Sequence, residues 1–125
     1  MKIASLICAL FLCQSISPPP PYKHQAFLDA LINCESGGNE RAINKVDRDG
    51  TSSYGLLQFK PQTLYRFVHE KYQILPDIEE VEIMNVIFDG ELQIRVAKRM
   101  IDDPEVDLSW EFLDCFGRHG YLLKF

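Results

Sequence analysis

The chain has no cluster of basic residues. Its 13 lysines and arginines are outnumbered by 18 aspartates and glutamates, and the formal net charge at pH 7 is −5. A nucleic-acid groove needs a basic patch, with aromatic side chains interleaved where single strands bind. The composition therefore argues against a protein that binds DNA or RNA.

Metal-binding patterns are equally scarce. The 3 histidines are scattered along the chain and share no ligand spacing. Asp47 and Asp49 invite comparison with a calcium loop, but the sixth position of such a loop would be Ser52 instead of glycine and the twelfth would be Gln58 instead of glutamate. We expect neither a metal nor another cofactor.

Long apolar runs are absent as well. The uncharged run at residues 3–13 is too short to span a bilayer comfortably; it follows Lys2 and precedes small residues and four prolines at 18–21. This pattern is typical of a secretory signal peptide, which we place at residues 1–17. Residues 18–24 would form a stiff proline-rich linker. We predict a secreted or periplasmic protein of the cell envelope; an uncleaved N-terminal segment would instead tether it to a membrane.

The remaining residues, 25–125, suffice for one small domain with a thin core. Apolar periodicity predicts a helix ending near residue 36, another that opens at Pro61, a pair at about 78–88 and 91–102, and a short last helix at 104–116. No segment is typical of a strand, except a small β-ribbon in the polar loop at 39–53. We predict a mainly α fold with a polar cleft loop, in which Trp110 and Phe112 belong to the core or to the lower cleft wall.

One acidic residue ends the first helical pattern. Leu28, Leu31 and Ile32 share a helical face, and Glu35 follows Leu31 by four residues, so we expect its side chain to point inward. A carboxyl group held against apolar side chains is poorly solvated as an anion, so its pKa rises and it can donate a proton near neutral pH. Alternatively, Glu35 is exposed in the last turn of a helix that ends at Gly37.

Several segments resemble the lysozyme-like superfamily. Those resembling lytic transglycosylases are, in order, Glu35-Ser36, Gly55-Leu56-Leu57-Gln58 and Pro61-Gln62-Thr63. Those similar to the catalytic domains of resuscitation-promoting factors are Cys34 to Asn39, Ala42-Ile43-Asn44, Leu57-Gln58-Phe59, Gln93-Ile94-Arg95-Val96-Ala97, and Trp110 with Cys115. The resemblance covers residues 25–115, and it implies a lysozyme-like α+β domain that cleaves peptidoglycan.

The resemblance also implies roles for particular residues. Glu35 would be the general acid and base, and Gln58 would hydrogen-bond sugar near the scissile bond, a task suited to an uncharged amide. Ser36, Asn44 and Tyr54 would position the glycan, although Tyr54 is equally well interpreted as a core aromatic. The partner would be a peptidoglycan glycan strand, bound by a monomer.

Two cysteines remain once the signal peptide is removed, Cys34 and Cys115. In an oxidising compartment such a pair is a natural disulfide. The resuscitation-promoting factors, which join cysteines at matching positions, imply the same pairing. The alternative is two buried free thiols.

The reaction depends on whether a second carboxylate accompanies Glu35. Ordinary glycosidases pair two carboxylates, and the candidates here are Asp47 and Asp49. Lytic transglycosylases work with a single glutamate while the 6-hydroxyl of the sugar closes an anhydro ring, and the order and spacing of the segments favour this version. The chain departs from many transglycosylases in lacking a Tyr-Asn-x-Gly segment after Trp110.

Two other classes stay open. One is a catalytically inactive glycan-binding or envelope-interaction protein that retains the fold, and the other is a structural secreted domain held by its disulfide. An inward carboxyl group together with Gln58 favours the enzyme, because a pure binding protein has no need of that carboxyl group.

Overall fold

A computed structural model describes residues 17–45 and 50–117. Of these residues, 51% are in helices and 5% are in strands, which confirms the predicted mainly helical α+β domain with a small ribbon. The predicted signal peptide, apart from Ser17, lies outside the described residues, as do Asp47 and Asp49. The elements, in order, are α1 (Gln25–Ser36), β1 (Ile43–Asn44), β2 (Ser53–Tyr54), α2 (Pro61–Tyr65), a π-helix (Arg66–Lys71), a 3-10 helix (Glu80–Asn85), α3 (Gly90–Ile101), α4 (Leu108–Glu111) and a π-helical segment (Leu113–Gly117).

Helix α3 supplies a large share of the core. It begins after Asp89, whose carboxylate caps it by accepting a hydrogen bond from the Leu92 amide at 3.1 Å. Its buried apolar face packs into one apolar cluster together with the inner faces of α1, of the Gly55 to Phe59 loop, and of α2 with the π-helix that follows it. The members from α1, α2 and the π-helix are Phe27, Leu28, Leu31, Leu64, Phe67 and Val68.

The helix predicted at residues 78–88 is shorter and tighter than expected. A 3-10 helix covers Glu80–Asn85, and reciprocal hydrogen bonds between Glu79 and Glu82 cap its start. It ends at Val86, whose φ of −119° and ψ of 1° are not helical, and the Ile87 carbonyl that follows accepts a hydrogen bond from the Gln93 side chain at 2.6 Å. Ile83 and Ile87 are still buried, so the apolar pattern predicted burial correctly but not the helix type.

The last predicted helix, at 104–116, is broken into pieces. Asp103 binds the Glu105 amide at 3.0 Å in a turn, and helix α4 starts only after Asp107, whose carboxylate accepts from the Ser109 amide at 3.0 Å. Aspartate side chains compete for backbone amides in this way and therefore set helix starts. The backbone leaves helical geometry at Phe112 before the π-helical segment begins.

A disulfide joins Cys34, in the last turn of α1, to Cys115 in the π-helical segment, with 5.9 Å between the Cα atoms. The predicted pairing is confirmed. Because the two cysteines are 81 residues apart in sequence, the bridge holds the C-terminal segment against the end of α1.

Tyr22, in the segment predicted to be a linker, lies against α3. Its hydroxyl donates to the Asp102 carboxylate at 3.2 Å and to the Lys98 carbonyl at 3.4 Å. Burial, reinforced by the negative charge of Asp102, raises the pKa of Tyr22 to about 12. Residues 17–21 before it are exposed.

A buried glutamine ties the loop that follows β2 to α3. Gln93 is fully buried; its amide nitrogen donates to the Tyr54 carbonyl at 2.9 Å, and its amide oxygen accepts from the Leu57 amide at 2.8 Å. Gly55 lets the loop approach this closely, because a Cβ there would lie 2.5 Å from the Gln93 amide nitrogen and its φ is +83°. The loop and α3 therefore meet through hydrogen bonds instead of apolar contacts alone.

We expect Gln93→Leu to lower the free energy of unfolding by about 3 kcal/mol, because buried backbone groups of Leu57, Tyr54 and Ile87 would lose hydrogen bonds. Urea unfolding measures the loss. Gln62→Leu, the same change at an exposed position of α2, should leave the midpoint of urea unfolding unchanged. Coincident curves for the Gln93 variant and the wild type would show that these hydrogen bonds contribute little.

Candidate active site

The end of α1 sets the position of Glu35. The helix stops at Ser36, and Gly37 adopts a left-handed conformation, φ 64°, while its amide bonds back to the Asn33 carbonyl at 3.0 Å. The Ser36 hydroxyl donates to the Ile32 carbonyl at 3.2 Å and accepts from the Gly38 amide at 3.1 Å. Glu35 is half-buried at this end of the helix.

A closed loop presents Gln58. Tyr54 and Phe59 exchange backbone hydrogen bonds at 3.0 and 3.1 Å, so the four residues between them form a tight turn. The Gln58 amide nitrogen donates to the carbonyls of Gly55 and Ala42 at 2.9 and 3.2 Å. Both partners are acceptors, so the amide orientation is determined, and the amide oxygen is the group that can accept a hydrogen bond from a ligand.

Gln58 also has an unusual backbone. Its φ of 53° lies in the left-handed region that non-glycine residues rarely adopt. Such conformations persist where the surrounding structure enforces them, and they cluster at ligand sites. Here the enforcing contacts are the exchanged bonds of the loop and the two bonds to its amide nitrogen.

The two-stranded ribbon contributes one face to the same region. Asn44 pairs with Ser53 and Ile43 pairs with Tyr54 in the antiparallel register. Directly opposite residues share a face, and successive residues alternate between faces. Asn44 and Ser53 accordingly point to one side, while the Tyr54 ring packs edge-on against Phe88, with 5.7 Å between centroids.

These elements surround a cavity of about 630 Å³, within the range typical of ligand sites. The C-terminal segment forms one wall of it. The lining residues are Cys34, Glu35, Asn44, Ser53, Gln58, Phe59, Lys60, Thr63, Trp110, Glu111, Phe112, Leu113, Asp114 and Cys115.

The ionisable groups around the cavity are mainly acidic. They are the carboxyl groups of Glu35, Glu111 and Asp114 and the ammonium group of Lys60. Glu111 forms an ion pair with Arg66 at 2.7 Å, and its side chain is only 15% exposed. The other half of the polar lining, Asn44, Ser53, Gln58 and Thr63, is uncharged, which suits a ligand rich in hydroxyl and amide groups.

Three of the five residues predicted to act on the glycan are brought together. Glu35, Asn44 and Gln58 line the cavity, whereas Ser36 and Tyr54 do not. Ser36 closes the end of α1, and Tyr54 lies on the opposite face of its strand. The roles assigned to all five residues, and the raised pKa expected for Glu35, stay predictions.

Sequence reasoning did not find Ser53, which is buried and lines the cavity. Strand alternation could have found it, since a ribbon that places Asn44 toward the cleft places the residue opposite on the same face. The sequence also did not decide whether Trp110 belongs to the core or to the cleft wall. Trp110 lines the cavity wall with 71% of its surface exposed, while Phe112 is buried in the core and lines the wall as well.

Residues 17–45 and 50–117 hold no group of three or more histidine, cysteine, aspartate or glutamate side chains that could bind a metal ion. Within these ranges, none of the helices has the length and apolar character needed to cross a membrane.

A small helical domain thus carries a half-buried carboxyl group and an amide of fixed orientation in one cavity. The family model of the transglycosylase SLT domain matches residues 21–103, and the chain belongs to this family. The family has lytic transglycosylase-type activity on peptidoglycan, outside the cytoplasm. No curated protein and no solved structure matches the chain. The matched region includes Glu35 and Gln58 but ends before the wall formed by residues 110–115.

Proposed function

We propose that this protein is an exported lytic transglycosylase that cleaves the β-1,4 bond between N-acetylmuramic acid and N-acetylglucosamine, with Glu35 as general acid and base. One observation carries the proposal: Glu35 and Gln58, which both lie in the region matched by the SLT domain, line one cavity of about 630 Å³.

The reaction needs one carboxyl group in two successive roles. Protonated Glu35 donates its proton to the glycosidic oxygen as the bond from that oxygen to the muramic acid C1 breaks. The 6-hydroxyl oxygen of the same muramic acid then attacks C1 and returns its proton to the Glu35 carboxylate. The product carries a 1,6-anhydro ring, and no water is consumed.

The neighbouring polar groups would hold the glycan in register. The Gln58 amide oxygen accepts from a sugar hydroxyl or an N-acetyl N–H, while Asn44 and Ser53 contact the same strand from the ribbon. Preorganised contacts of this kind contribute because the reacting atoms must be aligned before the bond breaks. Glu111, which is paired with Arg66, belongs to the wall and is not assigned a step.

Export is part of the proposal. It is supported by the charged start, short apolar run and prolines of residues 1–21, and by the disulfide, since disulfides persist in oxidising compartments. The family acts on peptidoglycan outside the cytoplasm, so an unexported chain would not reach its substrate.

The products distinguish this mechanism from hydrolysis. We expect mass spectrometry of peptidoglycan digested by the purified protein to find muropeptides lighter by one water than hydrolysis products, because the anhydro ring replaces the attacking water. Glu35→Gln should lower their release by about 10²-fold or more. Glu70→Gln, the same change at an exposed position that does not line the cavity, should release them as the wild type does.

Products with a free reducing end would contradict the transglycosylase step. They would direct the search for a second carboxylate to Asp47, Asp49 and Asp114, by changing each to asparagine. Binding of peptidoglycan without any release would favour the alternative function, a glycan-binding or envelope-interaction protein that retains the fold.

A further inference from the structure

The most exposed aromatic side chain of the cavity wall has no part in the mechanism above. Trp110 lies in α4, and although 71% of its surface is accessible to solvent it lines the cavity that contains Glu35. Leu113, one turn further on, is 37% exposed and lines the same wall. Together they add an exposed apolar surface to the wall of the cavity.

Large apolar side chains that serve only stability are buried, as the neighbouring wall residues Phe112 and Cys115 are. An exposed tryptophan gains nothing for folding and places a flat apolar face in water. Its exposure is explained if a ligand covers it. The cavity indicates which ligand, because Trp110 lines the same cavity as Glu35 and Gln58.

We propose that Trp110 is a platform on which one N-acetylated sugar ring of the glycan stacks, with Leu113 extending the apolar surface. The proposal rests on the proposed function and adds a positioning residue to it. A pyranose ring has a face of C–H groups, and an indole ring matches that face in size while leaving the sugar hydroxyls free for the polar wall. Trp110 lies beyond residues 21–103, so this contact belongs to the part of the chain outside the family match.

The wall that carries Trp110 and Leu113 is held in place by two independent contacts. The disulfide at Cys115 anchors the wall to α1 next to Glu35, and the Arg66 ion pair with Glu111 at 2.7 Å anchors α4 to the π-helix that follows α2. The platform therefore has a determined position relative to the acid, which a stacking contact needs if it is to hold the glycan across the cavity.

Trp110 is the single tryptophan of the chain, so intrinsic fluorescence reports on this position alone. We expect the trimer of N-acetylglucosamine, a neutral soluble probe, to shift the emission of the Glu35→Gln protein to shorter wavelength along a saturable curve. As a matched control, Trp110→Phe combined with Val81→Trp moves the fluorophore to a position that is 80% exposed on the 3-10 helix and does not line the cavity. Its emission should not respond.

Kinetics on peptidoglycan test the functional part. Trp110→Ala should raise KM about 10-fold with little change in kcat, because stacking holds the substrate and the transition state alike. Trp110→Phe, which keeps a flat ring, should recover most of the loss. Val81→Ala, the truncation of an exposed apolar side chain outside the cavity, should leave KM unchanged.

The outcomes separate this inference from the proposed function. Cleavage that depends on Glu35, combined with an unchanged KM for Trp110→Ala and no emission shift, overturns the platform and leaves the enzyme standing. An emission shift with no cleavage by the wild type supports the platform and contradicts the enzyme. A Trp110→Ala protein with a lowered melting temperature would assign the residue to stability and overturn the platform.

Discussion

Glu35→Gln is expected to lower kcat on peptidoglycan by about 10² to 10⁴-fold, the contribution that a positioned general acid and base makes. Glutamine has the shape of the protonated carboxyl group but can neither give up a proton to the leaving oxygen nor take one from the 6-hydroxyl. The fold should survive, because Glu35 is half-buried at the end of α1 and the turn after it is closed by Ser36 and Gly37.

The measurement is the rate of release of soluble muropeptides at equal protein concentration, with circular dichroism to check folding. Glu70→Gln serves as the matched control, since it removes an exposed carboxyl group that does not line the cavity. A Glu35→Gln protein that releases muropeptides at the wild-type rate would remove Glu35 from the mechanism.

Removing the disulfide is expected to cost about 4 kcal/mol of unfolding free energy in the chain-entropy model, because a bridge across so long a loop restricts the unfolded chain strongly. The two cysteines are separated by 81 residues. Cys34→Ala combined with Cys115→Ala avoids leaving a free thiol at either position. Guanidinium unfolding of this double variant, beside the wild type with and without a thiol reductant, measures the loss.

The same double variant should lose its activity on peptidoglycan at guanidinium concentrations below the midpoint of its unfolding curve, where the domain is still folded. Cys34 adjoins Glu35 and Cys115 adjoins Asp114, so the bridge joins the two walls of the cavity at the acid. We expect reduced wild-type protein to behave as the double variant does. Unfolding curves that coincide for oxidised and reduced wild type would show that the bridge adds no stability.

Local sequence patterns predicted the parts of the site that neighbouring residues determine. The apolar positions before Glu35 and the two glycines after it determine where α1 ends, and therefore where the carboxyl group lies. The pairing of Cys34 with Cys115 followed from counting cysteines and from the resemblance. The helix at 91–102 was placed to within a residue, because Asp89 and Gly90 mark its start and its apolar face is regular.

Patterns failed where a distant group competes for the backbone. The 3-10 helix ends at Asn85, and the Ile87 carbonyl beyond it is bound by the Gln93 side chain instead of by a helical amide. Helix α4 starts only after Asp107, whose carboxylate binds the Ser109 amide. The structural role of Gln93 could not be predicted, since its partners at Leu57 and Tyr54 are 36 and 39 residues away and are backbone atoms. No periodicity indicates a contact of this kind.

By itself, the sequence determined the family and the mainly helical fold, and it named Glu35 and Gln58 as candidates, because each depends on residue types at short spacing. The cysteine pair followed from the number of cysteines left after the predicted signal peptide. Only the tertiary structure decided which residues share the cavity. It brought Asn44 and Ser53 to one face and turned Tyr54 away, and it left Trp110 exposed on a wall of the cavity that Glu35 also lines. The physical reason is that strand register, loop closure and the disulfide act between residues far apart in the chain, and burial is settled only once those contacts form.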